Sequence, residues 1–252
     1  YWFNLLFCTL VAFWIFDQNI NWWRLISGLL FINGYHYSSF FPAELNGPLW
    51  SIGLEVSCYV LLPAVLFLII KSTKRIYVAI GGMIGYIFAL QILNPWIINS
   101  FMTSNKGKGW QYGLTGGAKQ WLPYWNIDTF FTQFLCGSLA ALIIVTFRAR
   151  GMLKSSAFDL SAVVFAIAAI WLVAVQLEPG APNSFTKQPY MAPFFAILMA
   201  GVIVSASFST QIHKLLDNRL FRWIAKILFS IYLWHMFLIV IIERKFLSKY
   251  VY

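Results

Sequence analysis

The chain has 252 residues, of which 60% are hydrophobic and 19% aromatic, while only 10% are charged. A soluble globular domain carries about a quarter charged residues, so this composition leaves too little polar surface to cover a water-soluble body of this size. A formal net charge of +10 would suggest nucleic acid in a soluble protein; here Lys and Arg cluster between apolar runs, where bilayer topology explains them, and no nucleic-acid partner is expected.

A helix crosses the hydrocarbon core with roughly 20 apolar residues, and runs near that length recur along the chain. The candidate spans are 1–16, 50–70, 76–98, 129–147, 158–177, 190–208 and 225–243. A shorter apolar stretch, 22–33, opens with Trp22, Trp23 and Arg24 and is expected to lie at the interface or to re-enter. The runs lack the period-two alternation of a barrel, and open strands leave backbone groups unsatisfied in lipid. The fold class expected is all-α: a single polytopic transmembrane helix bundle over residues 1–252, with seven visible spans and a membrane-lipid surround. Tyr1 already lies in an apolar run with no charged leader before it, so truncation at the N-terminus is expected.

Orientation is read from Lys and Arg in the short loops. Lys71, Lys74 and Arg75, then Arg148, Arg150 and Lys154, then Lys214, Arg219, Arg222 and Lys226 fall on one side by parity, taken as cytoplasmic. Arg244, Lys245 and Lys249 fall on the other side and do not fit the pattern. The opposite loop, 99–127, carries Trp110, Tyr112, Trp121, Tyr124 and Trp125, which suit either stacking on sugar rings or an aromatic belt. Cys8, Cys58 and Cys136 sit inside apolar runs without metal or redox spacing and read as small core residues. No metal site is expected.

Two motifs carry chemical information. The first is Asn46-Gly47-Pro48-Leu49-Trp50-Ser51-Ile52-Gly53-Leu54-Glu55, continuing through Tyr59 to Pro63. Asn-Gly-Pro reads as a chain break, with Pro48 suited to a helical first turn. Ser51, Glu55 and Tyr59 recur at four-residue spacing and therefore share a helix face. An acidic residue at a helix centre costs about 2.5–3.5 kcal/mol on insertion scales, so that face is expected to meet helices or a wet cavity. Glu55 then reads as a carboxylate that orients a hydroxyl or takes a proton, or as a structural group bonded to neighbouring helices. The second motif is Leu228-Phe229-Ser230-Ile231-Tyr232-Leu233-Trp234-His235. His235, roughly 15 Å into the last span at 1.5 Å per residue, reads either as a proton-transfer or substrate group or as a structural His donating to a backbone carbonyl.

Both strings resemble signatures of the acyltransferase-3 family of membrane acyltransferases. LWSIGLEVSCYVLLP is similar to that family's LWSLSVEEQFYLLLP, and LFSIYLWH to its SYSLYLWH, in the same order. Trp50, Ser51, Glu55, Tyr59 and Pro63 match the first signature, and Ser230, Tyr232, Trp234 and His235 the second; Val56, Ser57 and Cys58 depart from it. The resemblance makes Glu55 and His235 the candidate catalytic or supporting groups. It makes Trp50, Ser51, Tyr59, Ser230, Tyr232 and Trp234 candidate substrate-binding residues.

The resemblance also implies O-acylation of a carbohydrate with acyl-CoA as the donor substrate, no bound cofactor, and a bacterial inner-membrane location. It further implies a catalytic His in the family's first span and an Arg-x-x-Arg motif after its second. Neither can be placed on this chain, which is expected to begin at the third span and to lack the last. His36 belongs to the outer loop and does not substitute. The sequence leaves the oligomeric state open. The competing readings are a proton-coupled secondary transporter, which would use Glu55 and His235 as a relay, and a glycan flippase.

Overall fold

The computed structural model describes residues 1–36, 38–72, 76–104, 127–176 and 188–244. Trp110, Tyr112, Trp121, Tyr124 and Trp125 of the aromatic loop, and Lys74, Arg75, Lys245 and Lys249, lie outside the described residues. Among the described residues the secondary structure is helical, without strands. The α-helices are α1 Trp2–Phe16, α2 Trp22–Leu29, α3 Trp50–Ser72, α4 Ile76–Ser104, α5 Ile127–Ala149, α6 Ser156–Gln176, α7 Gln188–Phe208, α8 Ile212–Leu216 and α9 Arg219–Ile242. Among the described residues, four stretches are long and apolar enough to cross a membrane: Gly47–Ile69, Phe130–Ala149, Ser156–Ala174 and Arg219–Ile242. Shorter apolar stretches are Trp2–Phe16, Ile76–Leu90 and Pro193–Phe208. Large apolar side chains on these helices, Trp14, Val60, Ile92 and Ile170 among them, are exposed, as suits helices solvated by lipid. The fold class is an all-α helical bundle, and the protein is multi-pass.

Several boundaries differ from those expected. The apolar pattern puts the last span at 225–243, but α9 begins at Arg219, so Arg219, Arg222 and Lys226 lie on helix rather than in a loop. Lys and Arg are good helix formers whose long stems can reach back to the interface, so basic residues need not end an apolar helix. His235 therefore sits about 24 Å from the helix start at 1.5 Å per residue, not 15 Å. The 22–33 segment contains only one eight-residue helix, α2, about 12 Å long, too short to span. Pro48 does stand in a helical first turn, here the 3-10 turn Gly47–Leu49 that runs directly into α3 at Trp50.

The chain divides into two compact units. One takes Tyr1–Ser57 and Leu220 onward; the other takes residues from Cys58 to Arg219, apart from 109–122. In the first unit, α1 ends in left-handed Asp17 (φ 50°), and the Asp17 and Gln18 N–H groups both donate to the Ala12 carbonyl. Asn21 caps α2 by accepting the Arg24 N–H at 3.2 Å. Arg24 pairs with Glu44 and donates to the Ser38 carbonyl at 3.1 Å. The core of this unit joins Leu5, Cys8 and Ala12 of α1, Leu25 of α2, Ala43, Leu45 and Leu49, Ile52 of α3, and Leu233 and Phe237 of α9.

The second unit centres on Cys58, Met83, Ile87, Phe131, Leu135 and Cys136. Within it α7 packs against both α5 and α6, and the Ser161 hydroxyl donates to Ser205 at 3.0 Å. Asp159, in the first turn of α6, accepts the N–H groups of Thr210, Gln211 and Ile212 and the Thr210 hydroxyl, so its carboxylate caps α8. Cys8, Cys58 and Cys136 are buried thiols, as expected of small core residues.

The start of α3 is fixed by close approach to the preceding loop. The Asn33 amide donates to the carbonyls of Phe40 and Trp50, each at 3.2 Å. A Cβ on Gly53 would stand 2.2 Å from Asn33 Oδ1 and 3.2 Å from the Phe31 carbonyl oxygen. Asn33 cannot retreat without giving up both bonds. Gly53→Ala is therefore expected to lower stability by about 1–3 kcal/mol, the usual cost of overpacking. Gly47→Ala, where a Cβ meets nothing within 4 Å, should change it by no more than about 0.5 kcal/mol. Denaturation of both variants in detergent checks the contrast.

Candidate functional site

The site is built where the loop before α3 meets α9, within the first unit. Asn46, fully buried, donates through Nδ2 to the Leu233 carbonyl at 2.7 Å and to Asn4 Oδ1 at 2.9 Å. Asn4 donates to the same Leu233 carbonyl at 3.0 Å. Two residues past Asn46, the Pro48 carbonyl accepts the Tyr232 hydroxyl at 3.0 Å and the Ser51 hydroxyl at 3.3 Å. Ser51 and Tyr232 hydroxyls also face each other at 2.5 Å. The Ser51 hydroxyl reaches Glu55 Oε1 at 3.5 Å, a long contact.

His235 lies one turn beyond Tyr232 on α9. Its Nδ1 is 2.8 Å from the Tyr232 carbonyl oxygen. A carbonyl only accepts, so Nδ1 carries a proton, and in a neutral ring Nε2 presents a lone pair. The structural alternative for this His, a bond to a backbone carbonyl, thus accounts for one ring nitrogen and leaves the other for chemistry. Glu55, Tyr232 and His235 line one cavity of about 540 Å³, whose remaining wall is Ala225, Leu228, Phe229 and Ile231. The cavity has a polar end and an apolar end. Ala225 and His235 are ten residues apart on α9, about 15 Å along its axis.

The other candidate residues are distributed differently. Ser51 reaches the cavity group through Tyr232 and Glu55. Trp50 stacks on Phe40 at 4.9 Å, and Trp234 packs against core residue Phe237 and the exposed rings of Phe3 and Phe7. Ser230 is exposed on α9 and does not line the cavity. Tyr59 belongs to the second unit, its ring edge-to-face with Phe134 at 5.3 Å. His36 bonds Ser38 through Nδ1 at 2.6 Å. Among the described residues no group of three His, Cys, Asp or Glu could hold a metal ion.

Asn4 and Asn46 are the residues that sequence reasoning missed. Asn46 sits inside the first motif but reads there as a chain breaker. Asn4 is an amide in the apolar run Trp2-Phe3-Asn4-Leu5-Leu6, and a polar side chain at such a position usually bonds another helix. Ser51→Ala and Tyr232→Phe each remove the same short hydroxyl pair. Each is expected to cost about 1 kcal/mol of stability, with the double variant falling short of the sum by about 0.5 kcal/mol or more. Additive losses in a double-mutant cycle of detergent denaturation would show that the two hydroxyls do not interact.

Comparison with known proteins places the chain in a family. The acyltransferase-3 family model, an acyltransferase domain, matches residues 1–251. Proteins named "Putative O-acetyltransferase" in Staphylococcus aureus strains COL and MW2 are each 24% identical over 219 residues, covering 85% of this chain and 32% of their own length. The chain thus spans about a third of the length of the curated relatives it matches. No solved structure matches it. With the family match running across nearly every residue, both signature segments included, the chain belongs to the acyltransferase-3 family.

Proposed function

We propose that this chain forms part of a membrane O-acyltransferase, in which an acyl group, acetyl in the simplest case, passes from acyl-CoA to a hydroxyl of a cell-surface or lipid-linked carbohydrate. The observation that carries the reading is the shared cavity of Glu55, Tyr232 and His235, with the imidazole held so that Nε2 accepts. Family membership and the O-acetyltransferase names of the relatives support the reaction class. The location that goes with it is the bacterial inner membrane.

The reaction joins the acceptor hydroxyl oxygen to the thioester carbonyl carbon and breaks the C–S bond. The hydroxyl proton must leave, and the departing thiolate must be protonated. His235 Nε2 supplies the acceptor that orients the hydroxyl and draws off its proton. Glu55, in the same cavity, stabilises positive charge that develops on the imidazole.

Membranes holding the full-length protein, supplied with radiolabelled acetyl-CoA, test this directly. His235→Ala is expected to slow label transfer to glycan by about 100-fold or more, the lower bound for losing a positioned proton acceptor. Glu55→Ala should also slow it. Wild-type membranes that label no glycan, or both variants working at the wild-type rate, would overturn the reading.

A further inference from the structure

The polar cluster behind the cavity has no role in the chemistry above, yet its geometry is specific. The Leu233 carbonyl already belongs to the α9 hydrogen-bond ladder, and it receives two further donors, from Asn46 at 2.7 Å and Asn4 at 3.0 Å. Both amides are almost wholly buried among Leu5, Cys8, Leu45 and Leu49. The orientation of Asn46 is fixed: turning its amide over would set the oxygen against two acceptors, the Leu233 carbonyl and Asn4 Oδ1.

Burying two amides where apolar side chains would pack costs free energy unless they are bonded. What they supply is direction. The side chains of Leu233, Trp234 and Phe237 on the inner face of α9 meet α1 through apolar contacts, which do not specify register; the polar contact between the two helices is the Asn4 amide on the Leu233 carbonyl. A slip of one residue would move α9 by about 1.5 Å and turn it by about 100°, carrying His235 out of the cavity. Asn46 holds α9 from behind at Leu233. Two residues later Pro48, and then Ser51, hold it at Tyr232.

We infer that Asn46, with Asn4 beside it, sets the height and rotation of α9 and so places His235 against the Glu55 end of the cavity. It is a positioning residue for the acyl-transfer site, and its kinetic readout rests on the function proposed above.

The test uses the full-length protein with Asn46→Ala, Asn4→Ala and the double variant, each purified in detergent. Melting and elution report the folded fraction. Two readouts then follow on folded protein: acyl-transfer kinetics, and the rate at which diethyl pyrocarbonate modifies His235, scored by mass spectrometry with His36 and His213 as internal references. Misplacement by about 1 Å can cost on the order of 100-fold, so Asn46→Ala should lower kcat by about 10- to 100-fold while KM stays within about twofold. The His235 modification rate should change while those of His36 and His213 hold. Asn4→Ala leaves the shorter bond in place and should show the same pattern more weakly; it is decisive if Asn46→Ala does not accumulate.

An unchanged kcat with unchanged His235 labelling overturns the inference, as does activity lost only in proportion to folded protein, or a KM rise at constant kcat. If wild type transfers no acyl group but Asn46→Ala still shifts His235 labelling, the proposed function fails and the positioning role stands. If wild type is active and the variants alter neither readout, the reverse holds.

Discussion

A polar group inside a bilayer-spanning protein has only the protein, or a water-filled cavity, to bond with. That constraint organises the first unit. The Asn4 and Asn46 amides, the Ser51 and Tyr232 hydroxyls and the His235 imidazole each reach a main-chain carbonyl, and these carbonyls belong to only three residues: Leu233, Pro48 and Tyr232. Two of the three are consecutive on α9 and the third stands two residues past Asn46. Satisfying the donors therefore requires the loop before α3 and the middle of α9 to be held together.

Glu55 shows what the cavity does energetically. Its carboxylate is five residues into α3, about 7.5 Å from the helix start at 1.5 Å per residue, where an acidic side chain costs less than the roughly 2.5–3.5 kcal/mol of a helix centre. Its contact with Ser51, at 3.5 Å, is too long to offset much of that cost. By contrast the amides of Asn4 and Asn46 sit at 3.0 Å or less from their acceptors and are closed off. Exposure to the cavity is what makes a lightly bonded carboxylate tolerable here.

Much of this was legible in the sequence, for identifiable reasons. Apolar runs of span length point to the helices, because length and hydropathy alone decide whether a segment crosses a bilayer. Helix starts are less legible: Arg219 and Arg222 read as loop when charge is equated with exit from the membrane, whereas the helix simply continues into the basic segment. Within the motifs, spacings of four and three put Ser51 with Glu55 and Tyr232 with His235 on shared faces. Trp50 and Trp234 occupy the same motifs and pack into ring clusters instead; nothing in the letter W separates a packing aromatic from one that lines a cavity. Asn46 is hidden twice over, since Asn-Gly-Pro spells a turn and its partner is a carbonyl, which leaves no trace in a side-chain alphabet.

The last point bears on how two segments 187 residues apart come to act as one site. A main-chain acceptor at position 233 demands nothing of that residue's side chain beyond apolar packing. A donor at 46 demands an amide of fixed length, because it must reach the Leu233 carbonyl oxygen and Asn4 Oδ1 at once. The register of α9 is thus specified from the loop side. The helix contributes Tyr232 and His235, side chains that become useful only once something outside the helix has set their height.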